Sequence, residues 1–433
     1  MDGYRQIKKY IAEGKFRGLF SNVQMFVVSN VVDTKYFSAA RDTELNKKFI
    51  TGWIDEKNVP VCDYIEFSKV VLRIPQAHEM VTQNMVLDND KKKLLILRPY
   101  QIHAINAMRQ ASKRGESGYI WHTTGSGKTM TSYKATRNLL MDIPSIEKTI
   151  FLIDRKELDT QTTMDFQSYA EQDTIDVDDT NNVKKLIKRL ADGKQQMIVT
   201  TRQKLQRMIN GSLKESDKNY QKIKNLRVAF VVDECHRAVT PQTKRVIERF
   251  FYNSLWYGFT GTPIFEENKY ELKGDLPQTT EQLYGRCLHS YTIKEAIHDE
   301  AVLGFMVETM GSKDGDTPEM IESKKRMRKV LDIILNHSEA KFGMQNGSGR
   351  TYEAFLTVDS IERAQMYYKL LCDIKNGKDE LKISDEVTKA YPDFPKFAIT
   401  YSLSENEEKS HVNQNEMSQS LGDYNKLFGT HYE

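Results

Sequence analysis

The chain is poor in several things at once. It holds four cysteines in 433 residues, Cys62, Cys235, Cys287 and Cys372, far apart, with no Cys-x-x-Cys pair and no histidine at ligand spacing. That scarcity argues against a disulfide framework and a structural zinc site, and implies reduced thiols in a cytosolic protein. No apolar run approaches ~18 residues and no secretory leader pattern opens the chain, so no membrane partner is expected. Internal repeats are missing too. Charge of one sign is also lacking: 63 Lys and Arg against 60 Asp and Glu leave +3. An excess that small implies no nucleic-acid partner by itself, and any basic track must be local. What remains, 39% apolar and 28% charged, is an ordinary globular composition, long enough for two or three domains.

Against this background, Trp121-His122-Thr123-Thr124-Gly125-Ser126-Gly127-Lys128-Thr129 lies between the apolar run Tyr119-Ile120-Trp121 and a helical pattern from Met130 to Leu140. Gly125 and Gly127 let the backbone curl, so that N–H groups from Thr124 through Ser126 and beyond point inward at a polyphosphate. Lys128 adds a positive charge toward the β and γ phosphates, and the Thr129 hydroxyl is suited to Mg²⁺. The helix that follows offers its N-terminus to the same anion. One departure from the G-x-x-x-x-G-K-T pattern is His122, which stands where the first glycine belongs.

Further on, Arg227 to Val232 reads as a buried strand ending in Asp233-Glu234-Cys235-His236. A carboxylate pair at the C-terminal end of a strand sits where α/β sheets bind ligands. Asp233 suits the Mg²⁺ that Thr129 also touches, and Glu234 suits orientation and deprotonation of a water. Taken alone, the same residues also read as a helix cap with an acidic first turn.

Residues 1–92 mix strand-like runs (Val23 to Ser29, Val70 to Leu72) with short helices. Asp2 with Glu13-x-Lys15 superficially matches a Mg²⁺ nuclease set, but Gly14 marks a helix stop and not a strand. Lys91-Lys92-Lys93 reads as a solvated linker. A helix opens at Pro99. Its Gln101 can donate and accept as an adenine edge requires, or be an ordinary surface glutamine at a helix start. Strands are expected over Lys148–Ile153, Met197–Val199 and Leu255–Phe259, ending in Asp154-Arg155, Thr200-Thr201 and Thr260-Gly261-Thr262-Pro263. Apolar runs joined by helices imply a parallel sheet covered on both faces, with its polar clusters at one edge. Thr200, Thr201, Arg202 and Lys204 suit a nucleic-acid backbone there, or else cap a helix. The basic runs 180–190 and 323–329 read as solvated helix faces. A short helix over Ile293 to Leu303 leads out of the first domain. Beyond it, Ala354–Val358 and Phe397–Ile399 read as strands, and Ile361, Ala364, Tyr368 and Leu371 as one helical face capped by Asp359 and Glu362.

The phosphate loop, Asp233-Glu234-Cys235-His236, Thr260-Gly261-Thr262-Pro263 and the Gln101 helix, in this order, resemble the first motor lobe of superfamily 2 helicases. Trp121 to Thr129, Leu152-Ile153-Asp154-Arg155, Asp233 to Arg237 and Phe259 to Pro263 look like the motor (R) subunit of type I restriction enzymes, a family in which His122 at the first loop position fits. The resemblance implies an α/β chain. A remnant of an α+β endonuclease domain would fill 1–92, a RecA-like ATP-binding motor lobe 93–290, and an incomplete second RecA-like lobe 291–433. It implies ATP with Mg²⁺, double-stranded DNA, and modification (methyltransferase) and specificity subunits as partners, in the cytoplasm of a bacterium or archaeon. Carried over by position, Lys128, Asp233, Glu234 and His236 are catalytic, and Gln101 with Thr124, Gly125, Ser126, Gly127, Lys128 and Thr129 binds nucleotide. Arg155, Thr200, Thr201, Arg202 and Lys204 bind DNA, and Thr260, Gly261 and Thr262 couple the two sites. In the family's nucleases a Gln-x-x-x-Tyr helix follows the cleavage carboxylates, and Gln6 and Tyr10 match it, so those carboxylates are expected before residue 1. No Gln-x-x-Gly-Arg-x-x-Arg-like segment follows Ile399. The expectation is a chain that binds ATP·Mg²⁺, hydrolyses it slowly and does not translocate by itself. The competing expectations are a type III or other superfamily 2 motor, a non-hydrolysing nucleotide-binding assembly module, and a small-molecule phosphotransferase.

Overall fold

Helix Asp2–Ala12 gives way to Gly14 in the left-handed region (φ 71), so Glu13 and Lys15 follow a helix and do not lie on a strand. Strands β1 (Met25–Ser29), β2 (Thr34–Ser38), β3 (Thr51–Ile54) and β4 (Pro60–Val61) pair antiparallel in that order. Val70–Leu72 is not a strand. It belongs to the π-helical turn Ser68–Leu72, because Phe67 and Val71, four residues apart, enter the core from one helical face while Val70 and Leu72 face solvent. Strands β5 (Met85–Asp88) and β6 (Lys93–Ile96) then form a two-stranded ribbon, with Lys93 in the ribbon and not in a linker. Helix Pro99–Arg114 starts with proline in its first turn and ends at Gly115 in the left-handed region (φ 72).

The main sheet uses β7 (Gly118–His122), β8 (Lys148–Ile153), β9 (Val177–Asp179), β10 (Gln196–Thr201), β11 (Val228–Val232), β12 (Ser254–Thr260) and β13 (Cys287–Tyr291). Their order is β13-β7-β12-β11-β8-β10-β9, and every pairing is parallel. Such a sheet needs helices on both faces, and the central strands are accordingly buried at every position of β8, β10 and β11. Alternation divides them between two cores. Ala229 and Val231 pack with helices Pro99–Arg114 and Lys128–Asp142, while Val228, Phe230 and Val232 pack with Leu186, Leu205 and Ile247 on the other face. Because all seven strands run the same way, the residues after β7, β8, β10, β11 and β12 gather at one edge.

The chain divides into two compact units, Met1–Phe305 and Met306–Glu433. The structure, a computed structural model, describes residues 2–432 except 41–44, 46, 91–92, 154–163, 172–176, 180–181, 310–322, 339–351 and 402–409. Residues 1–92, expected to be a domain apart, share a core with the main sheet: Tyr36, Trp53, Phe67 and Met80 lie in one cluster with Ile102, Ile105, Met108, Phe151 and Val231. The second unit packs helices Lys324–Asn336 and Ile361–Lys375 around Met327, Leu331, Leu335, Tyr367, Leu370 and Ile374. Neither Ala354–Val358 nor Phe397–Ile399 is a strand, and Phe355 is 92% exposed. An apolar run becomes a strand only where a neighbour completes its hydrogen-bond ladder. The buried stripe of the second helix is Tyr367, Leu370 and Ile374. Tyr368, expected inside, sends its ring to Phe397 and its hydroxyl to Asp423 (3.3 Å). Its cap is Ser360. The helix expected to reach Leu303 is Ile293–His298.

Candidate active site

Strand β7 delivers the chain at His122 into the turn Thr123–Gly127, and helix Lys128–Asp142 starts immediately after it. Gly125 (φ 82) and Gly127 (φ 77) hold left-handed backbone that L side chains rarely adopt. The loop is tied down through its carbonyls. Tyr100 Oη donates to Ser126 O (2.6 Å), and Gln101 Nε2 donates to Gly127 O (3.4 Å) and to Thr131 Oγ1 (3.0 Å). Ser126 Oγ donates to Thr123 O (2.7 Å). Among the described residues, the N–H groups of Thr124, Gly125, Gly127, Lys128 and Thr129 have no backbone acceptor. A loop whose carbonyls are held by side chains and whose N–H groups have no backbone acceptor is suited to serve as an anion nest.

Gln101 is therefore used differently from a side chain waiting for a base. It is 2% exposed, its Oε1 accepts from Arg98 N (2.8 Å), and its Nε2 serves the loop. Contact with an adenine edge requires those bonds to be exchanged.

Across the edge, β11 ends at Val232, and Asp233 N extends the ladder to Leu152 O (3.2 Å). Glu234 then adopts φ 43, ψ 49, a left-handed conformation costing a non-glycine residue about 1–2 kcal/mol. That strained turn puts its carboxylate 3.5 Å from Lys128 Nζ on one side and 3.6 Å from His236 Nδ1 on the other. Lys128 is only 9% exposed, so its charge acts at short range with little water between. Asp233 Oδ1 accepts from Glu234 N (3.0 Å). Burial, and then the Glu234 charge, raise the Asp233 pKa above the usual carboxylate value, with Lys128 pulling the other way. A buried carboxylate held high by a like charge is relieved when a cation arrives.

A second chain of contacts leaves His236. Its Nδ1 lies 2.9 Å from Thr260 Oγ1, which accepts from Thr262 N (3.0 Å). Gly261 rests on the phosphate loop: a Cβ there would come within 3.3 Å of His122 O, Thr124 N and Thr124 Oγ1, and its carbonyl accepts from Trp121 Nε1 (3.3 Å). Lys128, Glu234, His236, Thr260 and Thr262 thus form one contiguous path from the nest to the turn after β12. Thr129 stands next to Lys128 in the first helical turn, half-buried.

The residues expected on DNA are placed less simply. Thr200 (0% exposed) and Thr201 (5%) end β10 beside β8, beyond the residues that pair with β9, and both are buried, so they offer no surface to a nucleic-acid backbone as they stand. Arg202 and Lys204 are half-buried in helix Arg202–Arg207, and Arg155 lies outside the described residues. Gln6 and Tyr10 sit on the N-terminal helix, where Lys15 Nζ lies over the Tyr10 ring at 4.7 Å. Residues that the motif reading missed also line the loop. His289 Nδ1 is 3.0 Å from His122 Nε2, Tyr291 stacks on Tyr100 (centroids 3.7 Å), and a Cβ on Gly125 would meet Val302 at 3.2 Å. The only hint of the first two was the spacing His289-x-Tyr291, which puts both on one face of a strand.

The SWI2/SNF2 ATPase family matches residues 100–341, and the type I restriction enzyme subunit R domain 3 family matches residues 350–433. The SsaAORF53P type I restriction enzyme endonuclease subunit of Staphylococcus saprophyticus is 35% identical over 99% of this chain and 45% of its own length. In Mycoplasma pneumoniae, the C-terminal part of the putative type I restriction endonuclease MpnIIP is 34% identical over 46% of this chain and 99% of its own length. This chain thus spans about half the length of the staphylococcal relative. A solved structure of the Type ISP restriction-modification enzyme LlaGI overlaps 47% of this chain and 18% of that one at 20% identity and a TM-score of 0.36. Among the described residues, no helix is long and apolar enough to cross a membrane. With a parallel sheet of the RecA-like helicase kind and these matches over its whole length, the chain belongs to the type I restriction enzyme endonuclease subunits and carries their superfamily 2 ATPase lobe.

Proposed function

We propose that this chain is the ATP-dependent, DNA-translocating part of a type I restriction complex, acting on double-stranded DNA beside modification (methyltransferase) and specificity subunits. One observation carries the reading: Lys128, leaving the nest, meets the strained Glu234 at 3.5 Å across the sheet edge. In this reading the loop N–H groups and Lys128 hold the β and γ phosphates of ATP. Thr129 and Asp233 hold Mg²⁺, which when bound draws charge from the phosphate oxygens. Glu234, in contact with Lys128 before the triphosphate arrives, is released toward a water and takes its proton. His236 follows Glu234 on one side and Thr260 on the other, and passes the change to Thr262. Arg155, Arg202 and Lys204 are the cations assigned to the DNA backbone. Thr200 and Thr201 act there through the positions of their strand end, since their hydroxyls are covered.

The test is binding of a nonhydrolysable ATP analogue with Mg²⁺, with and without a DNA duplex, followed by steady-state ATPase in the assembled complex. Lys128→Ala is expected to weaken the analogue at least ~tenfold. Analogue affinity indifferent to DNA, with no turnover in the complex, would replace the motor reading with that of an assembly module.

A further inference from the structure

Position 122 is where a phosphate loop usually carries glycine, and here an imidazole, 0% exposed, fills it. A buried ring at the root of the loop decides the direction in which the loop departs, so whatever orients the ring orients the nest. Its Nε2 lies 3.0 Å from His289 Nδ1, while its Nδ1 has no partner among the described residues. One nitrogen of a neutral imidazole bears hydrogen, and an orphaned buried N–H is rarer than an under-satisfied acceptor. The hydrogen is therefore on Nε2: His122 donates and His289 accepts. Strand β13, which carries His289, also accepts the next amide through Tyr291 O (Thr123 N, 3.0 Å). The Tyr291 ring stacks on Tyr100, whose hydroxyl holds Ser126 O. The loop is thus gripped at its root and near its tip from one edge strand.

From this geometry we propose that His289 is a positioning residue for the phosphate loop, accepting the His122 Nε2–H so that the loop leaves β7 with its N–H groups facing the nucleotide. The proposal rests on the nucleotide reading of the nest. It assigns His289 no contact with ATP: it acts through His122, and β13 acts as a back-stop for the loop and not only as an edge of the sheet. The groups facing the pair are His103 and Tyr100 from helix Pro99–Arg114, Tyr291 from β13 and Lys128 from the following helix.

The experiment compares His289→Asn with His289→Leu. Asparagine presents an amide oxygen near the place of Nδ1, whereas leucine matches its bulk without an acceptor. Affinity for a nonhydrolysable ATP analogue with Mg²⁺ is expected within about twofold of wild type for asparagine and about tenfold weaker for leucine. In protein labelled with ¹⁵N-histidine, and with the His122 signal identified by its loss in His122→Asn, the ring is expected as the Nε2–H tautomer in wild type and in His289→Asn. Equal affinities for the two variants, or an Nδ1–H tautomer at His122 in wild type, would overturn the proposal. If wild type and Lys128→Ala both failed to bind the analogue, the nucleotide reading would fall, while the tautomer would still decide whether His289 accepts.

Discussion

Acidification should weaken the first unit through the same histidine pair, and by an amount that can be worked out. The half-buried His289 ring lies between His122 and His103, and burial, followed by the His103 charge, pushes its pKa down to about 4. His122 is driven in the same direction by burial, by His289 and by Lys128. In the unfolded chain a histidine titrates near ~6.5. Between those values the unfolded state binds more protons than the folded one, so stability rises with pH. It is fully present above about pH 6.5 and is lost as pH falls toward 4. The whole span corresponds to about 3 kcal/mol for His289, of which about 2 kcal/mol falls between pH 7 and pH 5. Trp53, Trp121 and Trp256 all lie in the Met1–Phe305 unit, so tryptophan fluorescence during urea unfolding follows that unit. His289→Asn removes the titrating ring. Asp233, whose raised pKa works in the opposite sense, is common to both proteins and cancels in their difference. Wild type should therefore lose about 2 kcal/mol more than His289→Asn on going from pH 7 to pH 5. Parallel stability curves for the two proteins would refute the claim that this ring is held neutral by burial.

Three other outcomes follow from the edge of the sheet. Glu234→Gly and Glu234→Ala both delete the carboxylate and should both abolish ATP hydrolysis in the complex, but glycine relieves the left-handed backbone and should be the more stable of the two by about 1 kcal/mol in urea unfolding. Equal stability of the two variants would mean that the φ of 43 is not a strain. His236→Ala should leave analogue affinity within about twofold and remove stimulation of hydrolysis by DNA, because its Nδ1 bonds Thr260 and not the nest. Retained stimulation would exclude the His236–Thr260–Thr262 path. Gly261→Ala places a methyl 3.3 Å from Thr124 N, and titration of the analogue should register the crowding as a several-fold loss of affinity; unchanged affinity would show that the loop yields freely.

What could be read in advance divides along a physical line. The strands β8, β10 and β11 were legible because a parallel strand buried on both faces leaves an unbroken apolar run, and Gly125, Gly127 and Lys128 because their chemistry is local to a few residues. Val70–Leu72 misled because a single buried Val71, four residues after Phe67, satisfies helical packing as well as a strand pattern. Thr200 and Thr201 were legible as a strand end but not as buried: the sequence writes hydroxyls there without saying that the two faces of the sheet will be packed over. His289 was out of reach altogether. It bonds a residue 167 positions away, and it belongs to an edge strand whose mixed burial gives no pattern of its own. The same division explains why the site is held as it is. In the proposed reading the loop supplies the anion-binding groups by itself, yet glycine-rich backbone has many conformations, and selecting one takes the Tyr100, Gln101, His289 and Tyr291 side chains from behind. Motif residues tell which chemistry is available, and the distant partners decide whether the loop is already shaped for it before nucleotide arrives. Substitutions behind the loop should therefore weaken nucleotide binding by loosening that shape, whereas substitutions in the loop remove the contacts themselves.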